Sequence, residues 1–254
     1  TRWRASLGTL RSSVADPVPR SAKEVQVRPI PTAAARALIS AVHYSGKFTN
    51  NSQVHLGAFL DDKLMGAMSF GPPIDRSKLL HLVSGSEWGS MIELNRMAFG
   101  DGLPRNSESR CLGYAFRLFG KRYPQLKWVV SFSDAAQCGD GTIYRASGFV
   151  LTGIKQSDSL ARLPSGEVVH KMTLHSQLHT ARPELGGRSF YQVTGGRYDF
   201  GEYCRIAGAT LLAGYQLRYI KFLDPAWRSR LTVPEIPFSK IAELGIGMYK
   251  GQKR

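Results

Sequence analysis

The pattern of apolar and polar positions divides the middle of the chain into helices and strands. TAAARALISAV (32–42) has high helix propensity and follows Pro31. VHLGAFL and LMGAMSF are apolar runs joined by the polar residues 61–63, a spacing that predicts a β-hairpin. MIELNRMAF (91–99) is the next predicted strand.

The second half of this region continues in the same way. SESRCLGYAFRLFGKRY predicts an amphipathic helix with Ser107 as its N-cap, because Leu112, Phe116 and Phe119 recur on one face. Residues 126–132 predict a buried strand, residues around 142–147 a short helix, and FVLTGIK a further strand. Another hairpin is expected around Pro164, Ser165 and Gly166.

Elements in this order predict an α/β (α+β) fold with a mixed sheet flanked by helices. We assign that sheet domain to residues 31–185. Residues 1–30 lack periodicity and predict a basic N-terminal arm. Residues 186–254 show no sheet pattern of their own and predict a basic C-terminal lobe packed on the sheet domain.

The charge of the chain points to a polyanionic partner. Lys and Arg number 34 against 19 Asp and Glu, a net charge of +15, which favours nucleic acid over an acidic membrane surface. No apolar run has the length of a membrane span, so a cytoplasmic protein is expected. Cys111, Cys138 and Cys204 have no metal-ligand spacing and predict reduced, buried thiols.

The loop GDGLPRNSES lies between a predicted strand and a predicted helix. A helix N-terminus offers unpaired amides and a partial positive charge, which suit a phosphate or pyrophosphate. Arg105, Asn106, Ser107 and Ser109 would add donors. The alternative is an ordinary capped helix with solvated arginines.

Two further positions carry candidate chemistry. Asp134 ends a predicted buried strand, and ligands of open sheets collect at that edge. Tyr144 follows in the next short helix, after a glycine-containing loop, where its hydroxyl can give or take a proton. A helix cap and a core tyrosine are equally good interpretations of these two residues.

His43 and Arg96 are weaker candidates. A lone histidine in a polar loop is more often structural than catalytic. Arg96 lies in a predicted central strand, where a charge is costly unless it is paired, so Glu93, Asp134 or a bound anion is its expected partner.

Several short motifs together resemble the Mom DNA-modification proteins of Mu-like phages. The motifs occur in one order over roughly residues 40–155: HY (43–44), SFGPP, ELNRMAF, PRNSESR, VVSFSD, GTIYRASGF and TG (152–153). One position departs from the pattern, because this chain has QCGDG where many relatives have a histidine before GTIY.

The resemblance implies a fold similar to the GCN5-related N-acetyltransferases, with residues 91–122 as a coenzyme A pyrophosphate site. The implied cofactor is acetyl-coenzyme A or another small donor, although PRNSES replaces the usual glycine pattern. The implied activity converts adenine in duplex DNA to N6-carbamoylmethyladenine, which protects phage DNA from restriction in the cytoplasm of the host bacterium. The implied site is His43, Arg96, Ser109, Asp134 and Tyr144.

The implied product constrains the chemistry. In carbamoylmethyladenine N6 is bonded to a methylene carbon, so simple acyl transfer cannot form it. Either the methyl carbon of an acetyl unit is activated, or a glycine-derived unit enters through its own nitrogen at C6. His43, Asp134 and Tyr144 would then form an iron site or a set of proton-transfer groups.

The implied substrate is double-stranded DNA, whose target base would have to be flipped out of the duplex. Basic residues at both ends of the chain are the candidate phosphate contacts: Arg2, Arg4, Arg218, Lys221, Arg228 and Arg230. Tyr219 or Trp227 would stack on bases, with core packing as the preferred interpretation of both. An N-acetyltransferase acting on a protein or RNA amine, and a non-catalytic DNA-binding protein, are the alternatives.

Overall fold

A computed structural model of the chain describes residues 20–135, 141–246, 248–249 and 252–253. Arg2, Arg4 and Cys138, with most of the QCGDG loop, lie outside these residues. The described chain divides into two units. The first comprises residues 20–132, 141–152 and 218–237, and the second comprises 133–135, 153–217 and the described residues from 238 onward.

The first unit is built on a mixed sheet with the strand order β1-β2-β3-β4-β5-β8-β6, in which β6 and β8 contribute residues 150–152 and 218–222. The pairs from β1 to β4 are antiparallel, and β4 and β5 are parallel. Its elements are β1 Gln26–Pro29, α1 Thr32–Val42, β2 Val54–Leu60, β3 Lys63–Gly71, α2 Arg76–Leu80, β4 Met91–Phe99, α3 Ser107–Arg122, β5 Trp128–Asp134, α4 Thr142–Ala146, β6 Val150–Arg162 and β8 Thr210–Phe222. Strands β5, β6 and β8 continue into the second unit.

The amphipathic helices cover this sheet as their patterns predict. Ala35 and Ile39, four residues apart on α1, pack against Ala67 of β3 and Ala98 of β4. Phe119 of α3 is fully buried and meets Phe70 of β3 edge-on at 4.9 Å. Burial of such a side chain contributes about 1.5–3 kcal/mol. The predicted α+β class with a mixed sheet flanked by helices is therefore confirmed.

The second unit has its own apolar core. Here the remainder of β8, the remainder of β6 and β7 lie in that order. Leu174, Phe190 and Tyr203 are among its fully buried side chains. Its further elements are β7 Val168–His170, α5 Lys171–Ser176, α6 Phe190–Val193, α7 Phe200–Ala207, α8 Ser239–Glu243, β9 Met248–Tyr249 and β10 Gln252–Lys253.

Three expectations need correction. The region after residue 185 was expected to lack sheet structure, yet it supplies the 13-residue strand β8. Residues 26–29, placed in the basic arm, form the edge strand β1. Asn106, with φ of 69°, is the N-cap of α3 in place of Ser107. The Ser107 hydroxyl instead donates to the carbonyl of Pro104 at 2.5 Å.

The described cysteines agree with the sequence. Cys111 and Cys204 are both buried and free. Burial raises the pKa of the Cys111 thiol to about 12, so this thiol stays protonated at neutral pH. The boundaries at residues 30 and 185 remain a prediction.

Candidate active site

The parallel strands β4 and β5 pair over a short stretch and then part. Met91, Ile92 and Glu93 pair with Trp128, Val129 and Val130, whereas both strands run on for several residues. At the point of separation the Ser131 hydroxyl donates to the carbonyl of Leu94 at 3.4 Å. Such openings at the carboxyl ends of parallel strands are where ligands bind in α/β sheets.

A β-bulge lies on β4 beside this opening. Ser69 of β3 pairs with Arg96 and Phe70 pairs with Leu94, so Asn95 has no partner residue. Buried Asn95 accepts a hydrogen bond from the Ser52 hydroxyl at 2.9 Å. A bulge of this kind re-aims the side chains of its strand.

Glu93, at the end of the paired stretch, is an unusual carboxyl group. Burial raises its pKa to about 7, although a hydrogen bond with Asn95 and the positive charge of Arg96 both act to lower it. Near neutral pH the protonated and ionised forms are therefore both populated. This is the titration range that a general acid or base needs.

Among the described contacts, Arg96 is held by backbone carbonyls and does not form an ion pair with Glu93. Its guanidinium donates to the backbone carbonyls of Lys47 and Asn95, at 3.2 and 2.7 Å. The charge of Arg96 nevertheless reaches both Glu93 and His43. The structure thus brings Arg96 and His43, two of the predicted site residues, into one neighbourhood with Glu93.

His43 caps the C-terminal end of α1 and is held by its neighbours. Burial, and then the charge of Arg96, lower the pKa of His43 to about 4, so the ring is neutral at pH 7. Its Nδ1 accepts from the Ser45 amide at 3.2 Å and lies 2.8 Å from the Ser45 hydroxyl. Because an amide can only donate, Nδ1 carries no proton and Nε2 carries it.

This hydrogen-bonding pattern decides how His43 fits the implied iron site. A histidine that ligates a metal presents an unprotonated nitrogen and usually donates from the other one. Here the unprotonated Nδ1 is occupied by Ser45. His43 therefore fits a hydrogen-bond donor through Nε2 and does not fit a metal ligand. Within the described residues no three His, Cys, Asp or Glu side chains converge on one point.

Tyr144 is positioned by a hydrogen bond and a stacked ring. The Tyr144 hydroxyl is hydrogen-bonded to the Ser131 hydroxyl at 3.0 Å, which places the phenol at the opening between β4 and β5. The Tyr219 ring stacks on Tyr144 with a centroid distance of 4.7 Å and an interplanar angle of 22°. Tyr219 is fully buried, as the packing interpretation of this residue predicts. A glycine is required at 141 because an added Cβ would overlap the Tyr219 hydroxyl.

The first turn of α3 is the predicted anion site. No side chain caps this turn. The hydroxyls of Ser107 and Ser109 donate to the carbonyls of Pro104 and Asn106, so their protons are already used. Exposed Arg105 flanks the turn. The uncapped amides and Arg105 fit an anionic group here, whereas the serine hydroxyls do not act as its donors.

Asp134 is the last residue of β5 and belongs to the second unit. The amide of the next residue, Ala135, donates to the carbonyl of Tyr215 at 2.8 Å. The predicted place of Asp134 at a strand end is confirmed. Its role in the site remains a prediction.

The predicted DNA contacts of the C-terminal region all have internal partners. Arg218 donates to the hydroxyl and carbonyl of Thr152, and Lys221 donates to the carbonyl of Gly148. Burial lowers the pKa of both groups. Arg228 forms an ion pair with Glu235. Arg230 lies 4.4 Å from the centre of the Trp227 ring.

Ser131 is the residue of this neighbourhood that the sequence did not indicate, because it lies within the apolar run of β5 and carries no local signal. Glu93 was expected only as a partner of Arg96, and Tyr219 as a stacking or core residue. The signal for Glu93 was a carboxylate within the run MIELNRMAF, which is costly to bury unless it is used. The place of Tyr219 could not be predicted, because strand β8 has no clear sheet pattern in the sequence.

These features define the class of the chain: an α+β protein in which two parallel strands part beside a tyrosine hydroxyl, with a titratable carboxyl group at the last paired position. The sequence matches the Mom protein family over residues 24–240. The chain therefore belongs to the Mom family. It is 34% identical over 212 residues to the methylcarbamoylase Mom of Escherichia phage Mu, a match that covers 82% of this chain and 80% of that protein.

Solved acetyltransferase structures are also similar to this chain, at much lower levels. The ribosomal-protein-S18-alanine N-acetyltransferase of Escherichia coli has a TM-score of 0.41 and 9% identity, and covers 79% of this chain and 94% of its own. The IAA acetyltransferase of Bacillus cereus has a TM-score of 0.43 and 10% identity, with coverages of 78% and 99%. At such scores these likenesses say nothing about the ligand or reaction of this chain.

In the part of the chain that the structure describes, no helix has the length and apolar character needed to cross a membrane.

Proposed function

We propose that the chain is a transferase that converts adenine in duplex DNA to N6-carbamoylmethyladenine, and so protects phage DNA in the cytoplasm of the host. Membership of the Mom family carries this proposal, because the phage Mu relative is a methylcarbamoylase. The net charge of +15 supports a nucleic-acid substrate.

The reaction must remove a proton from the attacking amine, and it must also transfer protons at the donor. Glu93 is the residue that we assign as base, because a carboxyl group with a pKa of about 7 can accept a proton at neutral pH. We assign the Tyr144 hydroxyl, which the hydrogen bond with Ser131 holds in place, as the group that exchanges a proton with the donor. The proton on Nε2 of His43 suits a hydrogen bond to a carbonyl or amide oxygen of the donor.

The donor is a small molecule, for which we propose acetyl-coenzyme A or a related acyl carrier. Its anionic part would bind at the first turn of α3, beside Arg105. When bound, such a donor would supply two carbons of the carbamoylmethyl group, and a separate oxidant and a separate nitrogen donor would be needed for the N6–methylene bond and the terminal amide. Asp134 and Ser109 complete the proposed set of site residues.

The adenine must leave the duplex to reach this site. Flipping a base costs a few kcal/mol, which contacts with the extruded nucleotide must repay. Arg2 and Arg4 are the proposed phosphate contacts that have no described structure. The C-terminal candidates can contact DNA only through donors that their internal contacts leave free: Arg218, Lys221, Arg228 and Arg230.

Nucleoside mass spectrometry of DNA from cells that express the chain tests the proposal. We expect carbamoylmethyladenine with the wild type and a loss of about 10²–10⁴-fold in its formation with Tyr144→Phe, the range for removal of one proton-transfer group. Tyr114→Phe is the matched control, because Tyr114 is an exposed tyrosine on α3. Unmodified adenine with the wild type, together with acetylation of an added amine, would instead identify an ordinary N-acetyltransferase.

A further inference from the structure

The second unit contains a shallow cavity of about 390 Å³, lined entirely by its own residues. The lining includes Asp158, Lys171, Arg197, Tyr198, Asp199 and Leu211. The volume lies within the range of small-molecule sites. The cavity has no part in the chemistry assigned above.

Tyr198 is the prominent side chain of this cavity. The residue is 61% exposed, although exposed aromatic surface is unfavourable in water. It is nevertheless held in place, because the ring of His175 meets it edge-on at 4.7 Å and an angle of 70°. His175 in turn stacks on fully buried Phe190 at 5.7 Å. Tyr198 is therefore a fixed, solvent-facing aromatic surface.

A second pair repeats this arrangement in the same unit. Tyr191, which is 46% exposed, lies against His179 with a centroid distance of 4.8 Å. Exposed aromatic rings interleaved with basic side chains are typical of surfaces that bind unpaired nucleic acid, since every base offers a face for stacking.

The charges of the cavity select the kind of ligand. Lys171 and Arg197 bring two positive charges, and Asp158 and Asp199 bring two negative ones. Arg197 donates to the Thr194 carbonyl through Nε at 3.4 Å and remains exposed, and its positive charge also acts on Glu202. A phosphate ion alone would be attracted by the two cations and repelled by the two carboxylates. A nucleotide satisfies both, because its phosphates are anionic and its base carries amino groups that donate hydrogen bonds to carboxylates.

We propose that this cavity binds an unpaired nucleotide of the DNA substrate, with the base stacked on Tyr198 and the flanking phosphates held by Lys171 and Arg197. This inference rests on the proposed function, and it names the part of the chain that holds DNA opened by base flipping. Asp158 faces the exocyclic amino group, together with the oxygen of Asp199 that remains after Oδ1 accepts from the Glu202 amide at 2.9 Å. Contacts of this kind help to offset the cost of unstacking.

Fluorescence anisotropy with a labelled single-stranded oligonucleotide tests the site in the full chain. Tyr198→Ala should weaken binding about tenfold, equivalent to about 1.4 kcal/mol, because stacking on one base is lost. Tyr198→Phe keeps the ring and should bind like the wild type. Tyr114→Ala, which removes an exposed tyrosine of α3 instead, should have no effect. Wild-type affinity in Tyr198→Ala would overturn the proposal.

A second variant keeps the proposal testable if Tyr198→Ala fails to fold, which circular dichroism would reveal. Lys171→Ala should weaken binding and lower the slope of log K against log salt by about 0.7, the value for one phosphate contact on a single strand. An unchanged slope would also overturn the proposal. Binding is measured without turnover. A wild-type chain that binds the oligonucleotide through Tyr198 but never modifies adenine would therefore refute the proposed function and leave the proposed binding site intact.

Discussion

Gly141→Ala tests the packing that positions Tyr144. Gly141 precedes α4 with φ of 72°, in the left-handed region that side chains disfavour. An added Cβ would lie 3.0 Å from Cε2 of Tyr219, and closer still to its Cζ and hydroxyl oxygen. Tyr219 is fully buried and stacked on Tyr144, so it cannot move aside without disturbing the Tyr144 ring.

The expected cost has two parts. The left-handed backbone contributes about 1–2 kcal/mol, and overpacking of a buried neighbour contributes about 1–3 kcal/mol. We therefore expect Gly141→Ala to lower the free energy of unfolding by about 2–5 kcal/mol. Formation of modified adenine should fall as well, because Tyr144 is displaced from the opening between β4 and β5.

Gly85→Ala separates these two contributions. Gly85 lies in the same unit with φ of 75°, and its nearest neighbour is the flexible end of Arg230 at 3.2 Å. This variant should show only the backbone cost of about 1–2 kcal/mol and retain activity. Urea denaturation measures the first quantity and nucleoside mass spectrometry the second. Equal losses of stability and activity in the two variants would refute the reasoning.

Three further predictions concern buried polar groups. Glu93 has a folded pKa of about 7 against 4.5 in its ordinary state, so its stabilising contribution is present below pH 4.5 and lost as the pH rises through about 7. The stability difference between wild type and Glu93→Gln should therefore change across that range, and parallel curves would contradict it. His43 has the opposite sign, because a pKa lowered from 6.5 to about 4 gives stability that is present above pH 6.5 and lost as the pH falls through 4. In the same titration, the His43→Gln variant should lose less stability than the wild type as the pH falls through 4. Tyr203→Phe removes the hydroxyl that donates to Glu184 at 2.6 Å, and it should lower the free energy of unfolding in urea by about 1–3 kcal/mol. Tyr191→Phe, which changes an exposed residue, should leave that free energy unchanged.

The sequence alone determined the elements whose pattern is local. TAAARALISAV and MIELNRMAF coincide with α1 and β4 over their full lengths, because helix propensity and apolar runs depend on neighbouring residues. The same local logic placed Asp134 at the end of a strand and Tyr144 in the following short helix. The +15 charge and the order of the seven motifs also pointed to the Mom family and to nucleic acid.

Only the tertiary structure decided which distant residues meet. Strand β8 begins 48 residues after β6 ends (162 to 210), yet it lies between β5 and β6 and brings Tyr219 onto Tyr144. The pKa of Glu93, the tautomer of His43 and the internal partners of Arg218 and Lys221 follow from burial and contacts that no local pattern encodes. Hydrophobic periodicity predicts that a residue is buried. Which residue packs against it depends on the packing of the whole fold.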